Sequence, residues 1–523
     1  MTQGHTAVST RATGIGGKSS GPAVGFDNAR YLQDQTAAIL ERVGRFGNKL
    51  YLEFGGKLLF DYHAARVLPG FDSNVKMRLL QQLKDKADIL LCIYAGDIER
   101  KKLRADFGIT YDVDALKLID DLRDWDIEIR AVVITRFDNQ PGATIFKNKL
   151  ERRGVSVHTH RATLGYPTNV DLIVSEKGYG ANSFIETEKP LVVVTGPGPG
   201  SGKLATCLSQ LYHEHQRGIQ AGFAKFETFP IWNLPLKHPV NVAYESATAD
   251  LHDVNLIDSF HLEACGETAV NYNRDLEIFP VLNRILTRIL GASPPYNSPT
   301  DMGVNRAGFG IVDDVVVREA ARQEVIRRFF RCLCEYALGF ASRETVQRVD
   351  LLMKELGVTP EDRPVVLPAR DAAREAECSG KGHGSTFCGA ALLLADGRIV
   401  KGKNSPLLHA ASSLLLNALK SLAEIPDRIP LLPSSILESI SHLKSHIGKK
   451  TISLDVEETL VALAISTTNN PSALLAVEKL AALRGCEVHM THIPTPGDEA
   501  GLRQLGVNLT SDPNFSSKSL FTP

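Results

Sequence analysis

The chain has 523 residues, too many for a single hydrophobic core, so two or three domains are expected. Its 59 basic and 60 acidic residues leave a net charge of −1, which argues against a nucleic-acid or anionic-membrane surface as a partner. The eight cysteines form no C-x-x-C pair, so the sequence predicts reduced thiols in a cytoplasmic protein and no zinc ribbon.

The N-terminal half of the chain has the pattern of an α/β protein. Residues 1–25 are rich in glycine, serine and threonine and are predicted to form a disordered tail without a signal peptide. From residue 26, apolar and β-branched runs alternate with amphipathic stretches, which is typical of a parallel sheet covered on both faces. A doubly wound domain is therefore predicted for residues 26–290. Its expected strands include 49–54, 88–94, 129–137, 155–161, 170–176 and 189–195.

Two further units follow in the sequence. Residues 291–303 are rich in glycine, proline and serine and predict a break in the chain. This break begins a mainly helical linker subdomain, which is predicted for residues 291–370. Residues 371–523 predict a smaller C-terminal α/β domain. It begins with the hairpin-like run CGAALLLADGRIVKGKN, in which Asp396 and Gly397 suit a two-residue turn. A helix is predicted at 408–423.

The stretch VVVTGPGPGSGKLATC, residues 192–207, has the pattern of a phosphate-binding loop between a strand and a helix. In such a loop, glycines let backbone N–H groups converge on an anion at a helix N-terminus. Pro197 stands where the usual pattern has glycine, and Leu204 replaces the hydroxyl residue that would hold magnesium. The alternative is a glycine-rich turn that binds nothing. The predicted phosphate-binding residues are Gly196, Gly198, Gly200, Ser201, Gly202, Lys203 and Thr206.

Lys225 and Glu227 are predicted to lie at the same edge of the sheet as this loop. They end the run IQAGFAKFE, which predicts the next parallel strand, and ligands gather at the carboxyl ends of such strands. Together with Lys203 they are the catalytic candidates: Lys225 would neutralise phosphate, and Glu227 would position a metal or a hydroxyl. The alternative is a solvated loop with an ordinary ion pair.

Two aspartates are weak candidates for magnesium ligands. Asp97 ends the apolar run ILLCIYAGD, and Asp250 lies in the carboxylate-rich stretch YESATADLHD. An acidic residue at a strand end or on an exposed helix face is common, so neither is decisive. Lys57 and Asp61, after Gly55-Gly56, are interpreted as part of a structural turn.

The C-terminal unit resembles the start of the cytidine-deaminase fold, with a hairpin followed by a helix. The chemistry of that fold needs His or Cys, then Glu, then a P-C-x-x-C pair on the next helix. Here the helix begins His409-Ala410-Ala411, so the glutamate is absent, and the chain contains no P-C-x-x-C. No zinc site is expected.

Several long strings resemble one bacterial family, domain-of-unknown-function family 1846. They are LYLEFGGK, HAARVLPGF, GPGPGSGKLATC, AKFETFPIWNLPLKHPVN, VNYNRD and SPTDMG. The resemblance runs from about residue 26 to the C-terminus. It implies a nucleotide-binding α/β domain with helical and deaminase-like C-terminal parts, but no established activity.

The sequence therefore predicts a protein that binds a nucleotide or a phosphorylated metabolite. The leading hypothesis is an ATP-dependent kinase or transferase for a small molecule, in which Lys203 stabilises the moving phosphate and Asp97 or Glu227 holds magnesium. A non-catalytic nucleotide or phosphate sensor that forms homo-oligomers through the C-terminal domain is the alternative. A third hypothesis is an enzyme for a phosphorylated substrate that uses no nucleotide.

Overall fold

The computed structural model describes residues 23–47, 49–104, 108–380, 382, 386–447 and 452–517. Most of the predicted N-terminal tail, residues 1–22, lies outside these ranges. Within the described residues, no helix is both long enough and apolar enough to cross a membrane.

Strands and helices alternate through most of the described chain. The strands are β1 (Leu50–Phe54), β2 (Ala87–Tyr94), β3 (Leu103–Arg104), β4 (Ile109–Thr110), β5 (Ile129–Thr135), β6 (Val157–Thr159), β7 (Leu191–Thr195), β8 (Gly222–Phe226), β9 (Asn255–Ile257), β10 (Val270–Tyr272), β11 (Gly389–Leu393), β12 (Ile399–Lys403), β13 (Glu487–Met490) and β14 (Asn508–Ser511). The helices are α1 (Asn28–Arg45), α2 (Tyr62–Val67), α3 (Val75–Leu83), α4 (Ala95–Glu99), α5 (Tyr111–Asp124), α6 (Pro141–Glu151), α7 (Val170–Ile173), α8 (Lys203–Gln216), α9 (Pro239–Ala247), α10 (Ser259–Cys265), α11 (Asn273–Leu290), α12 (Pro299–Met302), α13 (Asp314–Ala337), α14 (Arg343–Leu356), α15 (Val366–Cys378), α16 (Ala410–Leu422), α17 (Ser434–His446), α18 (Val456–Ser466), α19 (Pro471–Val477) and α20 (Pro496–Gln504). Short 3-10 helices lie at Tyr179–Ala181, Ala249–Leu251, Ala307–Gly310, Pro360–Asp362 and Leu480–Leu483.

The larger sheet has six parallel strands in the order β6-β5-β2-β7-β1-β8. Its central strand β7, LVVVT, is buried along its whole length, as expected where helices cover both faces. One face packs against α1, α3, α5 and α6, and the other packs against α8 and α11. The predicted α/β class with a parallel sheet is therefore confirmed.

One expected strand is instead a short helix. Residues 170–176 were expected to extend the sheet, but Val170–Ile173 form the single turn α7. Asn169 caps this turn, because its side chain accepts a hydrogen bond from the Leu172 backbone N–H at 3.0 Å. A short apolar run fits a buried turn as well as a strand, and here the local cap decides between them.

The C-terminal part of the chain forms a smaller mixed sheet in the order β12-β11-β13-β14. The predicted hairpin is present, since β11 and β12 are antiparallel and Gly397 in the turn has a φ of 87°. Helix α16 follows at Ala410–Leu422, close to the predicted 408–423. The resemblance of this unit to the deaminase fold stays a prediction.

The helical segment between the sheets is tied to both of them. Helix α13 packs against α9 and α2, and its Glu324 carboxylate accepts hydrogen bonds from Arg66 of α2 at 2.8 Å. Arg327 of the same helix pairs with Glu487 of β13 at 2.6 Å, and the buried Arg363 also pairs with that carboxylate. The domain boundaries predicted at residues 290 and 370 stay predictions.

Candidate functional site

The glycine-rich loop lies at a topological switch point of the parallel sheet. Strands β2 and β7 are neighbours, but the chain leaves β2 towards β5 on one side and leaves β7 towards β8 on the other. The helices after such strands diverge, which opens a crevice at their carboxyl ends where ligands of α/β proteins bind. Residues 196–202 follow β7 directly and therefore line this crevice.

Side chains from the end of β5 anchor the loop. The Thr135 hydroxyl donates a hydrogen bond to the Ser201 carbonyl at 2.7 Å. The Arg136 guanidinium donates to the Gly200 carbonyl at 2.6 Å and lies over the Tyr94 ring, 3.4 Å from its centroid. These contacts occupy two loop carbonyls and place the charge of Arg136 beside the loop.

The loop requires glycine for reasons of packing and backbone conformation. Gly202 has a φ of 93°, and a β-carbon there would lie 2.7 Å from the Thr135 side chain. A β-carbon on Gly198 would lie 2.5 Å from the Tyr111 hydroxyl. Gly200 has a φ of 75° and open space around it. The protein's own contacts therefore explain two of these glycines, so glycine content alone does not identify a phosphate site.

The start of α8 has backbone N–H groups and a lysine that could bind an anion. Within the described part of the chain, the backbone N–H groups of Gly202, Lys203 and Leu204 donate to no acceptor, and no side chain caps the helix. The Lys203 ammonium lies 3.4 Å from the Gly198 carbonyl. Free first-turn N–H groups, the positive end of the helix dipole and a neighbouring lysine together favour a negatively charged ligand.

Of the remaining loop candidates, Ser201 and Thr206 are buried and Gly196 is half-buried. The Ser201 hydroxyl is buried without a partner among the described residues, and a β-carbon on Gly196 would lie 2.5 Å from it. The Thr206 hydroxyl is buried and accepts a hydrogen bond from the Cys92 thiol at 3.4 Å. Leu204 packs against the apolar core beneath α8. None of these side chains replaces the magnesium-binding hydroxyl at the mouth of the loop.

Lys225 and Glu227 form an ion pair at the end of β8. The Lys225 ammonium lies 3.3 Å from the Glu227 carboxylate and 2.5 Å from the Asp275 carboxylate, in the first turn of α11. Burial alone would lower the pKa of Lys225, but these carboxylates outweigh it and hold the pKa above its ordinary value. Lys225 therefore stays protonated and acts as a hydrogen-bond donor rather than as a base.

Glu53 is a member of this group that the sequence analysis missed. It is the register neighbour of Lys225 across β1 and β8, it is half-buried, and no described residue forms a hydrogen bond or ion pair with its side chain. Burial raises the pKa of its carboxyl, while the nearby charges of Lys225 and Lys203 oppose that rise.

The cluster at the end of β8 borders a cleft. The Trp232 indole donates to the Asn305 carbonyl at 3.1 Å, and the Asn305 side chain accepts from the Glu227 backbone N–H at 2.8 Å. The lining is Lys225, Glu227, Pro230, Trp232, Val270, Asn271, Asp275, Pro299, Thr300, Gly303 and Asn305.

A second cleft lies beside the loop. Its lining is Lys57, Leu58, Leu59, Phe60, Asp114, Lys117, Leu118, Asp121, Gly196 and Pro197.

The two magnesium candidates each form an ion pair with an arginine. Asp97 lies in α4 and pairs with Arg100, while Asp250 pairs with Arg328 of α13 at 3.1 Å. Among the residues that the structure describes, no three or more His, Cys, Asp or Glu side chains form a group that could hold a metal.

Asp61 has the structural role that the sequence suggested. Its carboxylate caps α2 by accepting from the Ala64 N–H at 3.2 Å, and it pairs with the buried Lys76 ammonium at 3.3 Å. A β-carbon on Gly56 would lie 2.6 Å from that same ammonium. The turn after β1 is thus filled by a buried ion pair.

At the start of α16, the Asp498 carboxylate lies against the His409 imidazole. The His409 Nδ1 lies 2.8 Å from Asp498, which also accepts from the Thr495 hydroxyl at 2.8 Å and the Val456 N–H at 3.1 Å. Burial would lower the pKa of His409, but Asp498 outweighs this and the pKa is raised. The contact with Asp498 fixes the orientation of the His409 imidazole.

Two family models together match almost the whole chain. Residues 24–357 match the N-terminal domain of unknown function DUF1846, and residues 361–521 match the C-terminal domain of unknown function DUF1846. The chain belongs to the DUF1846 family. A UPF0371 protein of Clostridium botulinum (strain Langeland / NCTC 10281 / Type F) is 57% identical over 500 residues, which cover 95% of this chain and 99% of the relative. A UPF0371 protein of Clostridium tetani (strain Massachusetts / E88) is 54% identical over 499 residues, with coverages of 95% and 99%.

These comparisons confirm the family resemblance that the sequence indicated. The names of the relatives state no activity, so the function of this chain has to be argued from its site. Three site residues were missed by the sequence analysis: Glu53, Arg136 and Asp275. Only Glu53 gave a usable signal, because a carboxylate in the otherwise apolar strand LYLEF is unusual for a buried parallel sheet.

Proposed function

We propose that the protein binds a phosphorylated small molecule, with its phosphate on the loop of residues 196–203. The observation that carries this proposal is the set of free N–H groups at the start of the 14-residue helix α8, beside Lys203 and at a switch point of the sheet. Backbone N–H groups and a lysine supply donors and positive charge to phosphate oxygens without any metal. Arg136, beside the loop, adds a second positive charge.

A nucleotide such as ATP is one candidate ligand, and a phosphorylated metabolite is the other. The magnesium-dependent kinase hypothesis is the weaker form, because Leu204 has no hydroxyl and Asp97 and Asp250 are already paired with arginines. We derive no step through magnesium. The form that the geometry favours is action on, or sensing of, a phosphorylated compound without nucleotide hydrolysis.

The proposal is tested by isothermal calorimetry and thermal unfolding with inorganic phosphate and ATP, each with and without magnesium. Lys203→Ala should weaken phosphate binding about tenfold to hundredfold, since a charge-assisted hydrogen bond contributes roughly 1.5–3 kcal/mol. Lys237→Ala is the matched control, because Lys237 is an exposed lysine paired with Glu355 away from the loop. Failure of wild type to bind phosphate or ATP, or equal binding by Lys203→Ala, would refute the proposal.

The same titrations separate the remaining alternatives. ATP binding and turnover that require magnesium would restore the kinase hypothesis. Binding without turnover, accompanied by a ligand-dependent change of mass in light scattering, would support the sensor that oligomerises through the C-terminal domain. Binding of phosphate esters that is indifferent to magnesium fits the form favoured above.

A further inference from the structure

We infer that the cleft at the end of β8 receives the hydroxyl-rich part of the ligand, so that the substrate class is a phosphorylated sugar or polyol. This inference rests on the proposed function, because it takes the phosphate on the loop as its starting point. It adds a second subsite, the cleft at the end of β8, and specifies that hydroxyl groups of the ligand bind there.

The spacing of the strands sets the distance between the two subsites. Strands β7 and β8 are both hydrogen-bonded to β1, so two strand spacings, about 10 Å, separate the loop from the end of β8. Both ends lie at the carboxyl edge of the same parallel sheet. A small phosphate ester that binds the loop can therefore extend over β1 into the cleft.

The lining of the cleft suits hydroxyl groups. After their contacts with Lys225, the carboxylates of Glu227 and Asp275 keep further lone pairs, since each carboxylate offers about four acceptor sites. The Asn271 and Asn305 side chains add amide groups, and the half-buried Trp232 adds an aromatic surface for C–H groups. Acceptors, amide groups and an aromatic surface in one cleft match a ring or chain that carries several hydroxyls.

Glu53 supplies an independent reason for a hydroxyl-bearing ligand. Its half-buried carboxylate accepts no hydrogen bond from the described residues, so its acceptor sites are open to a ligand hydroxyl. Glu53 stands between the loop and the cleft, beside Lys225 in register. A ligand hydroxyl crossing β1 would donate to it.

The inference is tested by calorimetry with D-ribose 5-phosphate, D-glucose 6-phosphate and n-butyl phosphate, which has the same charged group but no hydroxyls. At least one sugar phosphate should bind about tenfold or more tightly than butyl phosphate, as expected for hydrogen bonds to charged groups. Glu53→Gln and Glu227→Gln should lose this preference for the sugar phosphate over butyl phosphate. Glu53→Gln is expected to fold normally because Glu53 has no partner among the described residues, and Glu355→Gln is the exposed control.

The outcomes distinguish this inference from the proposal on which it rests. Equal affinity for all three esters overturns the sugar subsite and leaves phosphate binding on the loop intact. A preference that survives both glutamine variants also overturns the inference, because the hydroxyls would then be recognised elsewhere. No binding of any ester by wild type overturns the inference and the proposed function together.

Discussion

Replacing Gly202 by alanine is the most direct test of how the loop is built. Gly202 has a φ of 93° and is the N-cap of α8, and its added β-carbon would lie 2.7 Å from the methyl and hydroxyl groups of Thr135. The backbone conformation alone costs an L-residue about 1–2 kcal/mol. Overpacking against Thr135, which also holds the Ser201 carbonyl, adds about 1–3 kcal/mol. We expect Gly202→Ala to lower the free energy of unfolding by about 2–5 kcal/mol.

Gly200→Ala is the matched control for this measurement. Gly200 has a similar φ of 75°, but no atom lies within 4 Å of its added β-carbon, so only the conformational cost of about 1–2 kcal/mol applies. Urea unfolding followed by circular dichroism gives both free energies, and phosphate titration shows whether the loop still binds. Equal destabilisation by the two variants would refute the argument that Thr135 packs rigidly against the loop.

Two further predictions concern buried charges outside the loop. Glu487→Gln should lower the free energy of unfolding by about 3–5 kcal/mol, because it leaves the fully buried guanidinium of Arg363 without its carboxylate. Urea unfolding measures this loss, with the exposed Glu499→Gln as the control, for which a loss of about 1 kcal/mol or less is expected. A loss for Glu487→Gln that is no larger than that of the control would contradict the prediction. His409 has a raised pKa beside Asp498, so its stabilising contribution is present below the unfolded value of about 6.5 and is lost as the pH rises through the folded pKa. The destabilisation by His409→Gln should therefore be larger at about pH 5.5 than at about pH 9, and a difference that does not change with pH would refute this account.

The parallel sheet could be predicted from the sequence because a strand that is buried on both faces consists almost entirely of apolar residues. A strand such as β7, LVVVT, has no polar face, and its neighbours in the chain are amphipathic helices. The hairpin around Gly397 was predicted for a similarly local reason, since its turn needs a positive φ. The strand at 170–176 was predicted wrongly, because a short run with three apolar residues, such as VDLI at 170–173, satisfies either a strand or a capped turn.

By itself, the sequence determined the α/β class, the strand-loop-helix at residues 192–207 and the position of Lys225 and Glu227 at the end of one strand. These features depend on residues that are close in the chain and on the common direction of parallel strands. Only the tertiary structure decided that Thr206 faces Cys92, that Asp250 pairs with Arg328, and that Glu53 stands beside Lys225. Those outcomes depend on strand order and on partners far away in the sequence, which local periodicity does not encode.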